Sequence, residues 1–142
     1  MERPIDADGY YTDEPFKGFH RLHAAVYEGD TELVRAFLAA GDKCNHARKE
    51  FGPIPLVEAA HNDDEECMLL LLDHKADVNL VHDEGWSILH HMLALDRNHW
   101  FIERILVLGA TIDEKAINQL EEGCSNEARE LVEKARKWQL TI

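Results

Sequence analysis

Apolar residues along this chain come in pairs four positions apart, and the pairs recur. Leu33-Val34 with Phe37-Leu38, Cys67-Met68 with Leu71-Leu72, and Phe101-Ile102 with Ile105-Leu106 each begin 34 residues after the set before. Pairs at i, i+1, i+4 and i+5 cover one broad face of a helix. Upstream of each set lies a second periodic signal, a glycine followed four positions later by a leucine. It occurs at Gly18/Leu22, Gly52/Leu56 and Gly85/Leu89, spaced 34 and 33 apart. Self-similarity at such a period marks a repeat architecture, in which no single stretch can be read as a unique site.

Each unit predicts a short helix, a tight break, a second helix and a loop. First helices are expected over 21–28, 55–62 and 88–96, and second helices over 31–40, 65–74 and 99–107. The breaks are Gly29-Asp30, Asp63-Asp64 and Asp96-Arg97-Asn98. Gly, Asp and Asn suit them because they tolerate left-handed backbone and cap the helix that follows. The second helices run out at Gly41, Lys75 and Gly109, where a left-handed residue is wanted. Lys75 in that conformation costs about 1 kcal/mol relative to glycine.

Three segments carry a family likeness. The first unit shows Gly18, Leu22-His23, Ala25, Gly29, Leu38, Gly41 and Asn45; the second Gly52-Pro53-Ile54-Pro55-Leu56, Ala59-Ala60, Leu71-Leu72 and Ala76-Asp77-Val78-Asn79; the third Gly85-Trp86-Ser87-Ile88-Leu89-His90 and Gly109-Ala110. This resembles the ankyrin repeat family, whose pattern runs Gly-x-Thr-Pro-Leu-His-x-Ala-Ala, then Gly, a helix and Gly-Ala-Asp-x-Asn. The departures are His20-Arg21 for Thr-Pro, Val57 for the histidine of the second unit, and extra residues before Gly52 and near 96–98. After Asp113 comes a helix pair with charged outer positions instead of another Gly-Thr-Pro-Leu segment. A terminal cap needs that character, because the last repeat covers an apolar face on one side and meets water on the other.

The resemblance implies an all-α ankyrin-repeat solenoid of helix-turn-helix units, with short hairpin loops and a divergent C-terminal cap. Its domain would cover 16–142, with repeats at about 16–47, 48–80 and 81–112 and capping helices over 113–142. Residues 1–15 carry Glu2, Asp6, Asp8, Asp13 and Glu14 against Arg3 alone. They are expected to form an acidic arm, with Gly9-Tyr10-Tyr11 available for packing.

Composition narrows the partner. The 142 residues are 45% hydrophobic and 30% charged, as in a soluble globular domain. Fifteen Lys and Arg stand against 28 Asp and Glu, a net charge of −13. That balance argues against nucleic acid and against an anionic membrane surface, and it favours a basic protein partner. Solubility alone is the competing explanation. Cys44, Cys67 and Cys124 form no CxxC and read as reduced thiols. With neither a signal-like apolar core at the N-terminus nor a run of about 18 apolar residues, the expected location is cytoplasmic.

Candidate chemistry dissolves into the repeat. His90 and His23 fall at the family's Leu-His position, where the resemblance implies a ring bonded to neighbouring backbone. His91 is one helical position on, so the two rings diverge by roughly 100° and are poorly placed to chelate one ion. Cys44-Asn45-His46 lacks the second half of a zinc site, and no nucleophile has an assignable base and orienter. Asp63-Asp64-Glu65-Glu66 marks a helix start, where acids favour the macrodipole. No catalytic residue, cofactor or metal ligand is expected.

What remains is surface. The resemblance implies an extended concave binding face made of hairpin tips and the exposed side of the first helices. In this chain it maps to Phe16, Phe19, Tyr27 and Glu28, then Glu50, Phe51, Pro53 and His61, then Asp83, Glu84, Trp86 and Leu95, with Lys17, Asn62 and Ala94 beside them. Aromatic anchors suit interface hot spots, and carboxylates steer a basic partner. A competing reading has Phe19, Pro53 and Trp86 packing repeat on repeat. The expected function is a non-enzymatic inhibitor or immunity-type protein, a monomer or one-to-one hetero-complex that occludes a basic partner. The alternative is an adaptor or scaffold bridging two partners, and a lesser one is a metal protein or enzyme.

Overall fold

Most helices start where a side chain accepts one of the first free amides, the helix that begins at His99 being an exception. In the computed structural model, which describes residues 4–14, 17, 19–44, 55–79 and 86–140, eight helices are found among those residues. They are α1 (Arg21–Glu28), α2 (Thr31–Ala39), α3 (Pro55–His61), α4 (Glu65–Asp73), α5 (Ile88–Leu95), α6 (His99–Val107), α7 (Glu114–Glu122) and α8 (Asn126–Leu140). Asp30, Asp64, Ser87 and Asp113 accept from the amides of Leu33, Cys67, His90 and Ala116 at 2.9–3.1 Å, satisfying donors that have no partner within the helix. The first six helices lie within a residue of the expected bounds. Lys75 takes the left-handed backbone demanded of it, with φ 70°. Asp63, Asp96 and Asn98 do the same in the breaks.

The chain divides into two compact units, Met1–Asp77 and Val78–Ile142. In the first, α3 lies along α1 and α4 along α2, so two helix pairs stack. In the second, α7 lies along α5 and α8 along α6 in the same manner. No helix of the described residues is long and apolar enough to cross a membrane.

The apolar pairs are buried to different degrees. In α6 all four of Phe101, Ile102, Ile105 and Leu106 are buried. In α4, Cys67, Met68 and Leu71 are buried while Leu72 is half-buried. In α2, Val34 and Leu38 are buried, Leu33 is exposed, and Phe37 is half-buried beneath the Arg21 guanidinium, 4.6 Å from its ring centre. Arg21 is held there by a two-pronged bond to Asp42, at 2.6 and 2.8 Å, which raises its pKa. The stripe predicted for α2 is thus narrower than its sequence suggests.

Over its described residues the acidic N-terminal segment is a hairpin. Its backbone pairs with itself, with Asp6 N donating to Tyr10 O (2.8 Å) and Thr12 N to Pro4 O (3.1 Å), and turns at Gly9. This hairpin docks on the start of α1. Tyr11 N donates to Phe19 O and Arg21 N to Gly9 O, each at 2.9 Å. At the other end of the chain, α7 buries Ala116 and Leu120, and α8 buries Ala128, Val132 and Ala135. Gln139 Nε2 donates to Ala110 O at 3.1 Å, tying the end of α8 to the loop before α7.

Candidate functional site

In the first unit, the turn between α1 and α2 faces the turn between α3 and α4. Asn62 joins them, its Nδ2 donating to Val26 O (3.2 Å) and Tyr27 O (3.4 Å) at the end of α1, where carbonyls lack helical partners. Beside this amide lies an open cleft of about 500 Å³, lined by Tyr27, Glu28, Gly29, Asn62, Asp63, Asp64 and Glu65. Tyr27 is 56% exposed in the last turn of α1. Four carboxylates border the same space. His61, exposed, ends α3 next to Asn62.

Of the residues expected to bind a partner, the structure brings Tyr27 and Glu28 to this cleft, with His61 at the adjoining helix end. Phe16, Glu50, Phe51, Pro53, Asp83 and Glu84 lie outside the described residues. Phe19 and Trp86 are half-buried and engaged within their own repeats. Phe19 stacks on His23 with centroids 4.8 Å apart and planes 6° from parallel. Trp86 stacks on His90 at 3.9 Å and 21°, with His91 4.9 Å from it. In both cases the aromatic stands four residues before the histidine, close enough along the chain to cover its ring. Leu95, half-buried, ends α5. Asp63, Asp64 and Glu65 also line the cleft, which the sequence does not signal because a helix start already accounts for them, and Asp64 does cap α4.

The histidines depart from what the resemblance implies. His23 is 1% exposed, and neither ring nitrogen has a hydrogen-bond partner. Its Nε2 lies 3.7 Å from Glu58 Oε2. His90 Nδ1 is likewise unpartnered. Both rings are stacked on the aromatic residue four positions before them, and His90 also bonds Gln119. Burial pushes the His90 pKa below the usual histidine value, opposed by the Asp113 carboxylate and a bond to Gln119. Among the described residues, no group of three or more His, Cys, Asp or Glu is placed to hold a metal ion. Burial also pushes Cys67 up to about 12, leaving the thiol a poor nucleophile at neutral pH.

The second unit contains a constellation the sequence did not disclose. Ser125 Oγ lies 3.3 Å from His99 Nε2, and His99 Nδ1 lies 3.1 Å from Glu127 Oε2. Hydroxyl, imidazole and carboxylate stand in the order of a hydrolytic triad. The hydroxyl is committed elsewhere, however. It donates to Asp96 Oδ1 (2.9 Å) and accepts from Ala128 N (3.2 Å), capping α8. Asp96 also accepts from Ser125 N (2.7 Å) and lies 3.0 Å from His99 Nε2. The bond to His99 holds the Asp96 carboxyl below its usual range, helped by Ser125 and opposed by partial burial. The arrangement staples the α5–α6 turn to the start of α8.

Comparison with known proteins places this architecture. A family model of ankyrin repeats (3 copies) matches residues 22–116, more than half of the chain. Human ankyrin repeat and SOCS box protein 3 is 33% identical over 86 residues, which cover 58% of this chain and 16% of that protein. The chain therefore spans a small part of that relative's length. The crystal structure of the ankyrin repeat domain of Bcl-3, a unique member of the IkappaB protein family, matches with a TM-score of 0.72 at 24% identity. That match covers 91% of this chain and 56% of the other, and at such identity it is a likeness of fold.

Proposed function

The chain belongs to the ankyrin-repeat family, whose repeats are protein-interaction modules, and from that premise we propose that it acts without catalysis, binding and occluding a basic partner protein as an inhibitor of the immunity type. The observation that carries the reading is Tyr27, 56% exposed at the rim of a cleft bordered by Glu28, Asp63, Asp64 and Glu65. An exposed ring offers a hot-spot anchor and a cation–π face, while carboxylates steer and orient cationic side chains. The net charge of −13 extends the same field over the molecule. The complex is one to one, and reduced thiols suit a cytoplasmic setting.

The test starts from a partner captured with tagged protein, purified, and assayed for its own activity with and without the chain. Tyr27→Ala is expected to weaken binding more than about tenfold, mainly through faster dissociation, with an unchanged melting midpoint. Glu28→Lys with Glu65→Lys is expected to slow association and flatten its salt dependence. An acidic partner, or equal binding by all variants, defeats the reading. A bridging adaptor is the second reading, favoured by Val107 and Leu108, apolar and exposed at the end of α6. It predicts a ternary complex in which the first partner keeps its activity.

A further inference from the structure

Three helices end at a left-handed residue, and each presents a pair of positions just before it. Ala39-Ala40 precede Gly41, Asp73-His74 precede Lys75, and Val107-Leu108 precede Gly109. All six residues are exposed. The position therefore demands no apolar side chain, and at the ends of α2 and α4 it carries small or polar ones. At the end of α6 it carries two large apolar ones, Val107 at 62% and Leu108 at 53% exposure. Exposed apolar residues that stand together, unlike those scattered singly, mark a contact surface.

The end of α8 joins this surface. Helices α6 and α8 pack side by side and run in the same direction. His99 Nδ1 meets Glu127 Oε2 at 3.1 Å near their starts, and Gln139 Nε2 donates to Ala110 O at 3.1 Å near their ends. Trp138 stands about three turns after Glu127, on the same side of α8. It is 38% exposed, with the Lys134 ammonium 5.5 Å from its ring centre. Residues 104–110 and 134–139 hold Arg104, Lys134, Arg136 and Lys137 and no carboxylate, in a chain with 28 Asp and Glu against 15 Lys and Arg. Arg136 meets Glu133 at 3.4 Å, whereas Arg104 and Lys137 form no ion pair among the described residues. Cations in a last turn also favour the helix dipole. The last turns of α2 and α4 have none, however, and the dipole does not account for Val107 and Leu108.

We propose that this end of the second unit is a docking surface for a short acidic segment of a partner protein. Apolar side chains of the segment would lie against Val107, Leu108 and Trp138, and its carboxylates against Arg104, Lys134 and Lys137. Charge complementarity selects this occupant. A second copy of the chain brings a net charge of −13 against the same charge. A nucleic acid or an anionic membrane extends past the few cations over an acidic molecule. A short segment stays within a Debye length, about 8 Å at physiological salt, of the cations it meets. The inference deepens the bridging reading, on which it rests for a second partner, by giving that partner its chemistry. It does not depend on the reading of the Tyr27 cleft.

Amide nitrogen-15 spectra of the full chain test the surface with two short synthetic peptides. One is built of Glu and Leu patterned as a helix, the other of Asp and Phe in alternation. At least one is expected to shift the amides of residues 104–110 and 134–139, while analogues with Lys for each acid shift none. Val107→Ser with Leu108→Ser should weaken binding more than about tenfold at an unchanged melting midpoint. Lys134→Glu with Lys137→Glu should weaken it as much and remove most of its salt dependence. No shift with either peptide, shifts centred on other residues, or an equal response to the Lys analogues overturns the proposal. Tighter binding of a DNA duplex or of phosphatidylserine vesicles at the same amides also overturns it. The mapping uses the wild-type chain, so it decides even where a variant fails to fold. If the peptide binds here but partners captured from cells form no ternary complex, the surface stands and the bridging reading fails.

Discussion

The two units join their neighbouring turns by opposite means. In Met1–Asp77 a neutral amide, that of Asn62, reaches across the joint to two carbonyls at 3.2 and 3.4 Å. In Val78–Ile142 the joint is a network of Asp96, His99, Ser125 and Glu127, with contacts of 2.7–3.3 Å. A sparse joint leaves space beside it, and the first unit has an open cleft there with Tyr27 at its rim. A dense joint engages its own polar groups and leaves fewer for a partner. The same repeat thus has an open cleft beside its turns in one unit and a polar staple between them in the other.

The staple is where the comparison breaks hardest. Asp96→Ala is expected to cost about 2–3 kcal/mol, because charge-assisted bonds are lost and the Ser125 amide is left without its acceptor. Denaturant unfolding measures the loss, and exchange of the α8 amides should locate it. Asp96→Asn retains an acceptor and tolerates the left-handed backbone, with φ 50°, so it should lose less. The pH dependence follows from the lowered carboxyl. A group whose folded value lies below its usual 3.8 adds stability above that value, and the contribution fades as pH falls through the folded value. His90, lowered by burial, acts higher: its contribution is full above about 6.5 and declines below it. Acid titration of Asp96→Asn should therefore keep the decline that begins near pH 6.5 and lose part of the one below pH 4. A titration identical to wild type at the low end would show that the carboxylate network is slack in solution.

The contrast between the joints also marks how far the sequence could be read. Apolar pairs at a 34-residue spacing, with Asp30 and Asp64 before the second helices, place most helix bounds to within a residue, because burial and capping are local signals. Lys75 is legible as left-handed because the apolar pattern stops before it and a turn must follow. Ser125 is not legible as a partner of Asp96, which lies 29 residues away and meets it by the stacking of two helix pairs. Asp63 and Glu65 read as an acidic helix start, and stacking adds their second role as cleft walls. The place of Phe19 and Trp86 four residues before a histidine is a local signal of their stacking, since that interval lets ring lie on ring.

Asn62→Ala tests the sparse joint. The loss should be about 1 kcal/mol, within the ordinary range for a neutral hydrogen bond partly open to water. Because the amide also borders the cleft, the same change separates joint from surface. If Tyr27 works as an anchor held by the end of α1, partner binding should weaken together with the slight fall in stability. If binding holds while stability falls, Asn62 serves the joint alone and the cleft is organised by its carboxylates. A stability loss as large as that of Asp96→Ala would erase the distinction between the two units.

The smallest effect concerns the helix ends that flank the joints. The helices α2 and α6 are followed by Gly41 and Gly109, at φ 101° and 99°, whereas α4 is followed by Lys75 at φ 70°. Lys75 N donates to Leu72 O and Ala76 N to Leu71 O, both at 3.0 Å, so the same terminating geometry is reached without glycine. A Cβ in left-handed backbone is strained, while glycine there gives up more freedom on folding; the two effects oppose each other. Where φ is firmly positive the strain dominates, and Lys75→Gly should stabilise by about 0.5–1 kcal/mol. Lys75 is exposed and its side chain takes little from the core, so packing should not mask the gain. Thermal melts of Lys75→Gly and Lys75→Asn give the check, with asparagine expected between lysine and glycine. A destabilised Lys75→Gly would mean that the lysine side chain stabilises the turn by more than its backbone strain costs, and that α4 ends by a different balance from α2 and α6.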